Sequence, residues 1–294
     1  MDISYYPGCA LHGTSKEYDE SIHAVCAALS INLHELDNWC CCGASAAHMT
    51  NGELNVALNA RNLAIAEKTE WNELLAPCPL CSGVMQKTQK TLADNPEKLD
   101  SVRQVIEQPD YRNDARVVNI LQVLQKGIGS LRIASNPLKG LKCACYYGCF
   151  LVRPPKIVQF DDSENPTSMD DIMTAVGAEP VEWAFKTECC GGGFTMSNSK
   201  AVIELAGRIL SDAKENGAEC IVVACPMCHV NLDMKQSAVA DHLGWKDERL
   251  PVFYVTQLVG LALGIDVEKL GVKRHLVNAM PLVSRLAREG DARG

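Results

Sequence analysis

Ten of the fifteen cysteines fall into two matching sets of five. In the first, Cys9 is followed after 31 residues by Cys41-Cys42 and after a further 35 by Cys78-x-x-Cys81. In the second, Cys149 is followed after 39 residues by Cys189-Cys190 and after a further 34 by Cys225-x-x-Cys228. Thiolates bind soft metals and attack disulfides. A lone C-x-x-C is shared by zinc ribbons, redox motifs and chance, but a five-cysteine pattern written twice points to one purpose served twice. Structural zinc takes four ligands, often at compact spacing, whereas each set here offers five across more than 70 residues. An ordinary cubane iron–sulfur cluster also takes four. The fifth cysteine and the adjacent pair are therefore the unusual elements.

The other cysteines read differently. Cys26 lies on an apolar helical face, and Cys143, Cys145 and Cys220 sit in or beside strands, where free cysteine packs as a small hydrophobe. Cys40 turns the first pair into a triplet and is open between a spare thiol and an alternative ligand. His12, His48 and His229 stand close in sequence to the paired sets and could deliver protons near neutral pH, although a hydrogen-bonded structural role is the plainer reading. Arg153 and Lys156 follow Cys149 and could hold an anion, against the alternative of a solvated face. His229 and Arg153 are the catalytic candidates.

The elements that position these groups repeat. Ile3 to Tyr6 reads as a strand ending at Pro7-Gly8-Cys9; a helix with Ile22, Val25, Cys26 and Leu29 on one face follows. Residues 31–36 form a second strand leading to Cys40-Cys41-Cys42-Gly43, then a helix from about Glu53 to Lys68, then Leu74-Leu75-Ala76 leading to Pro77-Cys78. The second half runs the same way, with a strand over Leu141 to Tyr147 before Gly148-Cys149, a helix over Met169 to Val176, a helix over Ala201 to Asn216, and a strand over Ile221 to Ala224 before Cys225. Self-similarity of this kind predicts two copies of one unit. The polar stretch 94–116 loses the pattern and reads as the crossover between halves, with the boundary near residues 130–139. The expectation is an α/β chain of two pseudo-symmetric domains, 1–135 and 136–294, each with a small, mainly parallel sheet. Cysteines at the carboxyl ends of neighbouring strands would converge there. Helix N-termini would favour thiolate charge. Gly43, Gly191, Gly192 and Gly193 would admit close backbone approach, and Pro79 and Pro226 suit a first helical turn.

A net charge of −8 with no Lys/Arg block argues against a nucleic-acid partner. The composition, 47% hydrophobic and 22% charged, is that of a folded chain. No apolar run reaches the roughly 18 residues of a membrane helix, so direct membrane insertion is not expected. The first residues lack the basic and apolar regions of a signal peptide, which predicts a cytoplasmic protein. In that reducing setting, metal ligation explains grouped cysteines better than disulfides do.

With Tyr146-Tyr147-Gly148-Cys149, Arg153-Pro154, Pro166-Thr167-Ser168 and Thr187-Glu188-Cys189-Cys190-Gly191 added to the two cysteine sets, nearly the whole chain resembles the HdrB subunit of heterodisulfide reductase and its bacterial relatives, with two complete cysteine-rich (CCG) domains. The resemblance implies two noncubane [4Fe-4S] clusters. Carried over by motif, one would be bound by Cys9, Cys41, Cys42, Cys78 and Cys81, and the other by Cys149, Cys189, Cys190, Cys225 and Cys228. It implies two-electron reduction of a disulfide, or the reverse oxidation of two thiols, between the clusters. Expected partners are an HdrC-like iron–sulfur subunit and an HdrA-like flavin subunit. The alternative is an electron-relay subunit of a larger oxidoreductase, with no small substrate of its own. Phe150 stands where many members of the family carry a histidine, and Trp39-Cys40-Cys41-Cys42-Gly43 resembles the bacterial members more than the methanogen ones.

Overall fold

The computed structural model describes residues 1–45, 47–128, 137–246 and 249–291. The first half runs β1 (Asp2–Tyr5), α1 (Gly8–His12), α2 (Lys16–Ala28), β2 (Asn32–Glu35), α3 (Ala47–Thr50), α4 (Gly52–Ala66), β3 (Glu73–Leu75), α5 (Pro79–Ala93), α6 (Pro96–Val105), β4 (Arg116–Val118) and α7 (Ile120–Ile128). The second half runs β5 (Lys142–Tyr146), α8 (Pro155–Val158), α9 (Ser168–Ala175), β6 (Glu179–Pro180), α10 (Ser199–Glu215), β7 (Cys220–Val223), α11 (Pro226–His229), α12 (Gln236–Leu243), β8 (Val252–Tyr254), α13 (Val255–Ala262) and α14 (Met280–Asp291). A π-helical turn, Val230–Met234, joins α11 to α12. The domain junction expected near residues 130–139 falls largely on 129–136, outside the described residues.

Each half forms a four-stranded sheet in which every pairing is parallel, ordered β2-β1-β3-β4 and β6-β5-β7-β8. The strands are short and mostly buried, as parallel strands covered on both faces must be. Local chemistry sets the helix starts. Asn51 accepts the N–H groups of Glu53 and Leu54, Asn95 that of Lys98 and Asn198 that of Ala201, while Pro79 and Pro226 open α5 and α11 where no N–H is required. The polar segment 94–116 is not a crossover between halves. It forms α6 and the return to β4, fourth strand of the first sheet. With only three residues, Arg116-Val117-Val118 is too brief to show a period, and β6 at two residues is briefer still.

The halves pack by a pseudo-two-fold arrangement. In the first half α2 meets α13 of the second; in the second half α9 meets α7 of the first. One hydrophobic core runs through both sheets, joining Ile3, Tyr5 and Leu121 to Val222, Phe253 and Leu258. A second core, around Leu63, Leu74 and Met85, belongs to the first half alone. Tyr18 is the bolt between halves. Its fully buried ring stacks on Tyr254 with centroids 4.0 Å apart, and its hydroxyl donates to the Ala224 carbonyl at 3.1 Å. Ser21 and Thr256 join hydroxyls 2.6 Å apart beside it. Truncating such a ring leaves a cavity, so Tyr18→Ala is expected to cost about 3–5 kcal/mol in urea unfolding of the full chain, and Tyr18→Phe about 1 kcal/mol. A Tyr18→Ala change that left the urea midpoint unmoved would show that the halves do not depend on this contact.

Candidate metal centre

In the order β2-β1-β3-β4 the chain adds β2 on one side of β1 and β3 on the other, so the strand order reverses between β1 and β3, and parallel α/β sheets place ligand sites in the crevice beyond such a switch point. Cys9 follows β1 in the first turn of α1, Cys41-Cys42 lies in the loop after β2, and Cys78-x-x-Cys81 opens α5 after β3. The second half repeats this with Cys149 after β5, Cys189-Cys190 after β6 and Cys225-x-x-Cys228 opening α11 after β7.

The sulfurs meet edge to edge. Cys9 and Cys41 lie 3.9 Å apart, Cys42 and Cys81 3.2 Å, and Cys190 and Cys228 3.6 Å. Cys41 lies beside Cys42, Cys81 beside Cys78, Cys225 beside Cys228, and Cys149 beside Cys189. The two sets touch where Cys78 of the first half lies beside Cys225 of the second. Cys42, Cys78, Cys81, Cys190, Cys225 and Cys228 are buried; Cys9, Cys41 and Cys189 are exposed and Cys149 is half-buried. The exposed cysteines thus lie outward of the buried place where the two sets meet. Among the described residues no group of three or more His, Cys, Asp or Glu converges at single-ion spacing.

Matched side chains hold the two Cys-Cys loops. Tyr6 donates its hydroxyl to the Cys40 carbonyl at 2.8 Å, and Tyr146 donates to the Glu188 carbonyl at 2.6 Å, each on the residue before the expected pair. The Gly43 N–H points at Cys41 Sγ at 3.5 Å and the Gly191 N–H at Cys189 Sγ at 3.3 Å. In the first half, Asn62 takes the Cys40 N–H and donates to its carbonyl, while Asn55 and Asn59 both donate to the Cys42 carbonyl. In the second, Asn231 donates to the Cys190 carbonyl. None of these supports was singled out from sequence. Asn55, Asn59 and Asn62 do share one face of α4, a polar stripe that a search for apolar periodicity passes over.

The backbone is cut to fit the sulfurs. Gly8 has φ +69° and Gly148 φ +65°, and a Cβ would stand 3.2 Å from Cys81 Sγ at Gly8 and 3.0 Å from Cys228 Sγ at Gly148. Charge tells the same story. Thiol donation from Cys41, then Cys81, pulls Cys42 down to about 3, and donation from Cys149 with the N–H groups of Gly191 and Gly192 pulls Cys189 down to about 6. Their donors Cys41, Cys81 and Cys149 are driven the other way, largest cause the same shared proton. Packed thiols cannot all ionise unaided, because like charges at this spacing repel. A polynuclear cation with soft character would relieve that conflict, so donor chemistry, crowding and the absent Cβ atoms fit an iron–sulfur group.

The cysteine-rich CCG domain model matches twice, over residues 3–86 and 143–233. The chain belongs to this family. Over 284 residues, 96% of this chain and 99% of the relative, it is 33% identical to the 8-methylmenaquinol:fumarate reductase membrane anchor subunit of Wolinella succinogenes. It is 27% identical over 292 residues, 97% of this chain and 96% of the relative, to the HdrB subunit of the ferredoxin/F(420)H(2)-dependent CoB-CoM heterodisulfide reductase of Methanosarcina acetivorans. A crystal structure of a hypothetical protein from Helicobacter pylori shares the fold at a TM-score of 0.77 and 13% identity, covering 94% of this chain; this chain spans only 51% of that one. Among its described residues this CCG protein has no helix long and apolar enough to cross a membrane.

The remaining candidates of this CCG protein take other places. His229 is buried, its Nε2 3.1 Å from the Val252 carbonyl and its ring stacked on Tyr254 at 4.4 Å. Burial drives its pKa well down, which keeps the ring neutral and within the core. Arg153 donates to the Ser163 carbonyl at 3.0 Å, to Glu164 at 3.0 Å and to the Thr187 hydroxyl at 3.1 Å, bracing the stretch of chain that leads into Cys189. His12 sits at the surface, 3.3 Å from Glu35 and edge-on to Trp39; the side chain of His48 lies outside the described residues. Lys156 is exposed. The Cys40 thiol points to the Leu58 carbonyl at 3.7 Å. Cys26, Cys143, Cys145 and Cys220 are buried in the core. Two surface cavities, about 490 and 450 Å³, are lined without any cysteine and lie away from the sulfurs.

Since Gly148 combines left-handed backbone with a sulfur at the Cβ position, Gly148→Ala is expected to lose about 1–3 kcal/mol and its share of any bound metal. Gly52→Ala, at the start of α4 with nothing within 4 Å, should lose no stability in thermal melts and no metal in metal analysis. Equal behaviour of the two variants would contradict the close-approach argument.

Proposed function

We propose that this chain is the catalytic, cluster-bearing subunit of a heterodisulfide-reductase-type complex. In this reading Cys9, Cys41, Cys42, Cys78 and Cys81 hold one noncubane [4Fe-4S] cluster, and Cys149, Cys189, Cys190, Cys225 and Cys228 hold the other. The reaction is two-electron reduction of a disulfide, or the reverse oxidation of two thiols. The observation that carries it is the contact of Cys78 with Cys225, which puts the two five-cysteine sets against each other across the half boundary. Splitting a disulfide takes two electrons, and each cluster, when bound, would supply electrons one at a time.

The chain's own residues do the positioning. Gly8 and Gly148 let backbone approach the sulfurs, and Tyr6 and Tyr146 fix the entry to each Cys-Cys loop. Arg153 steadies the second loop through Thr187. The buried inner cysteines keep water from the junction of the two sets, while Cys9, Cys41 and Cys189 face outward, the side from which a disulfide or dithiol would enter. The reading expects partner iron–sulfur and flavin subunits and a cytoplasmic complex. A second reading, electron relay without a small substrate, is favoured by the relative named for menaquinol:fumarate reduction.

Anaerobically prepared protein should contain about eight irons with matching sulfide; stoichiometric zinc without sulfide would end the cluster reading. Cys41→Ala or Cys190→Ala should remove or convert one cluster, while Cys26→Ala should cost only about 1 kcal/mol of packing. Equal iron loss in all three would refute the ligand assignment.

The two readings separate in the assembled complex. A disulfide or dithiol should perturb the cluster EPR signals, and loss of either cluster should stop turnover. If neither signal responds and electron flow survives removal of one cluster, the relay reading stands.

A further inference from the structure

The two five-cysteine sites share a backbone N–H to sulfur contact at each Cys-Cys-Gly turn, but a side-chain donor to sulfur is found in the second alone among the described residues. Among the described residues, Asn231 is the one non-cysteine side chain that donates to a cysteine sulfur. Its Nδ2 lies 2.9 Å from the Cys190 carbonyl and 3.7 Å from Cys190 Sγ, and its Oδ1 faces the Thr195 hydroxyl at 3.0 Å. The residue is fully buried. It stands three positions after Cys228 in the π-helical turn Val230–Met234, a widening of the helix that recurs at functional sites. At the same offset from Cys81 the first half carries Val84, an apolar residue packed on the core of α4 and α5. There the amides of Asn55 and Asn59 reach the Cys42 carbonyl, and that of Asn59 the Asn55 carbonyl as well, rather than a sulfur.

A donor aimed at sulfur stabilises the electron-rich state of an iron–sulfur site more than the oxidised one, and so raises its reduction potential. Resting on the iron–sulfur reading above, we propose that Asn231 makes the second five-cysteine site the more readily reduced of the two, so that a single electron resides there first. Asn231 acts through Cys190 and is a positioning residue.

The test is a dithionite titration of the anaerobically purified full chain followed by EPR, with the second-site signal assigned as the one that persists in Cys41→Ala. In the wild-type protein the second site should take its electron at the less negative potential. Asn231→Leu should move that potential more negative and leave the first site unchanged, and Asn231→Asp, which keeps the shape but replaces the donor by an acceptor, should move it further. The proposal is overturned if the wild-type sites are reduced in the opposite order, or if the Asn231 variants shift both sites together or neither. Should both variants lose the second site altogether, the wild-type order alone decides. Absence of iron and sulfide would instead remove the cluster reading itself, whereas clusters with unmoved potentials would remove only the role of Asn231.

Discussion

Two sets of five cysteines brought together at the junction of two domains impose the constraint that organises this molecule. Thiols so close cannot all be charged, and left to themselves neighbours share protons. They also need backbone to come nearer than a side chain allows, which places Gly8 and Gly148 in the left-handed region directly before Cys9 and Cys149. Loops carrying adjacent cysteines have no ladder to hold them. Their carbonyls are instead tied by tyrosine and asparagine side chains from neighbouring elements.

Duplication simplifies this arrangement, because one parallel unit with its switch point at the cysteines is used twice. The copies are not left to associate through the sulfurs alone. The reciprocal packing of α2 on α13 and of α9 on α7, with Tyr18 stacked on Tyr254, makes the junction part of a common core. Apolar burial is non-directional and supplies stability; the hydroxyl contacts of Tyr18 and Ser21 supply registration. Symmetry is broken where the loops are fastened. The first half uses a row of asparagines on α4, and the second uses a single asparagine carried by a π-helical turn. Similar N–H to sulfur contacts at the two Cys-Cys-Gly turns are therefore reached by different routes.

Much of this was legible in the sequence. The two five-cysteine patterns, the strand before each single cysteine, and Pro79 and Pro226 at helix starts are local signals, and local signals survive in a linear reading. So are the parallel, duplicated α/β units, since strand and helix alternated in the same order twice. Four-stranded sheets were not, because Arg116–Val118 and Glu179–Pro180 are too short to carry a period and are strands only by virtue of the partners beside them. Proximity in sequence also misled. His229 adjoins Cys228 yet turns into the core to meet Val252 and Tyr254, because a helix sends successive side chains to different faces.

What the sequence determined by itself was the inventory: how many thiols, at which strand ends, in two copies. Tertiary structure alone decided which thiols meet. That Cys78 lies beside Cys225, almost 150 residues away, follows from how α2 and α9 seat on α13 and α7. That Cys40 turns to Leu58 while Cys41 turns to Cys9 depends on the grip of Tyr6 and Asn62 on the intervening backbone. Such outcomes are set by packing between elements distant in the chain, and no spacing within one segment encodes them.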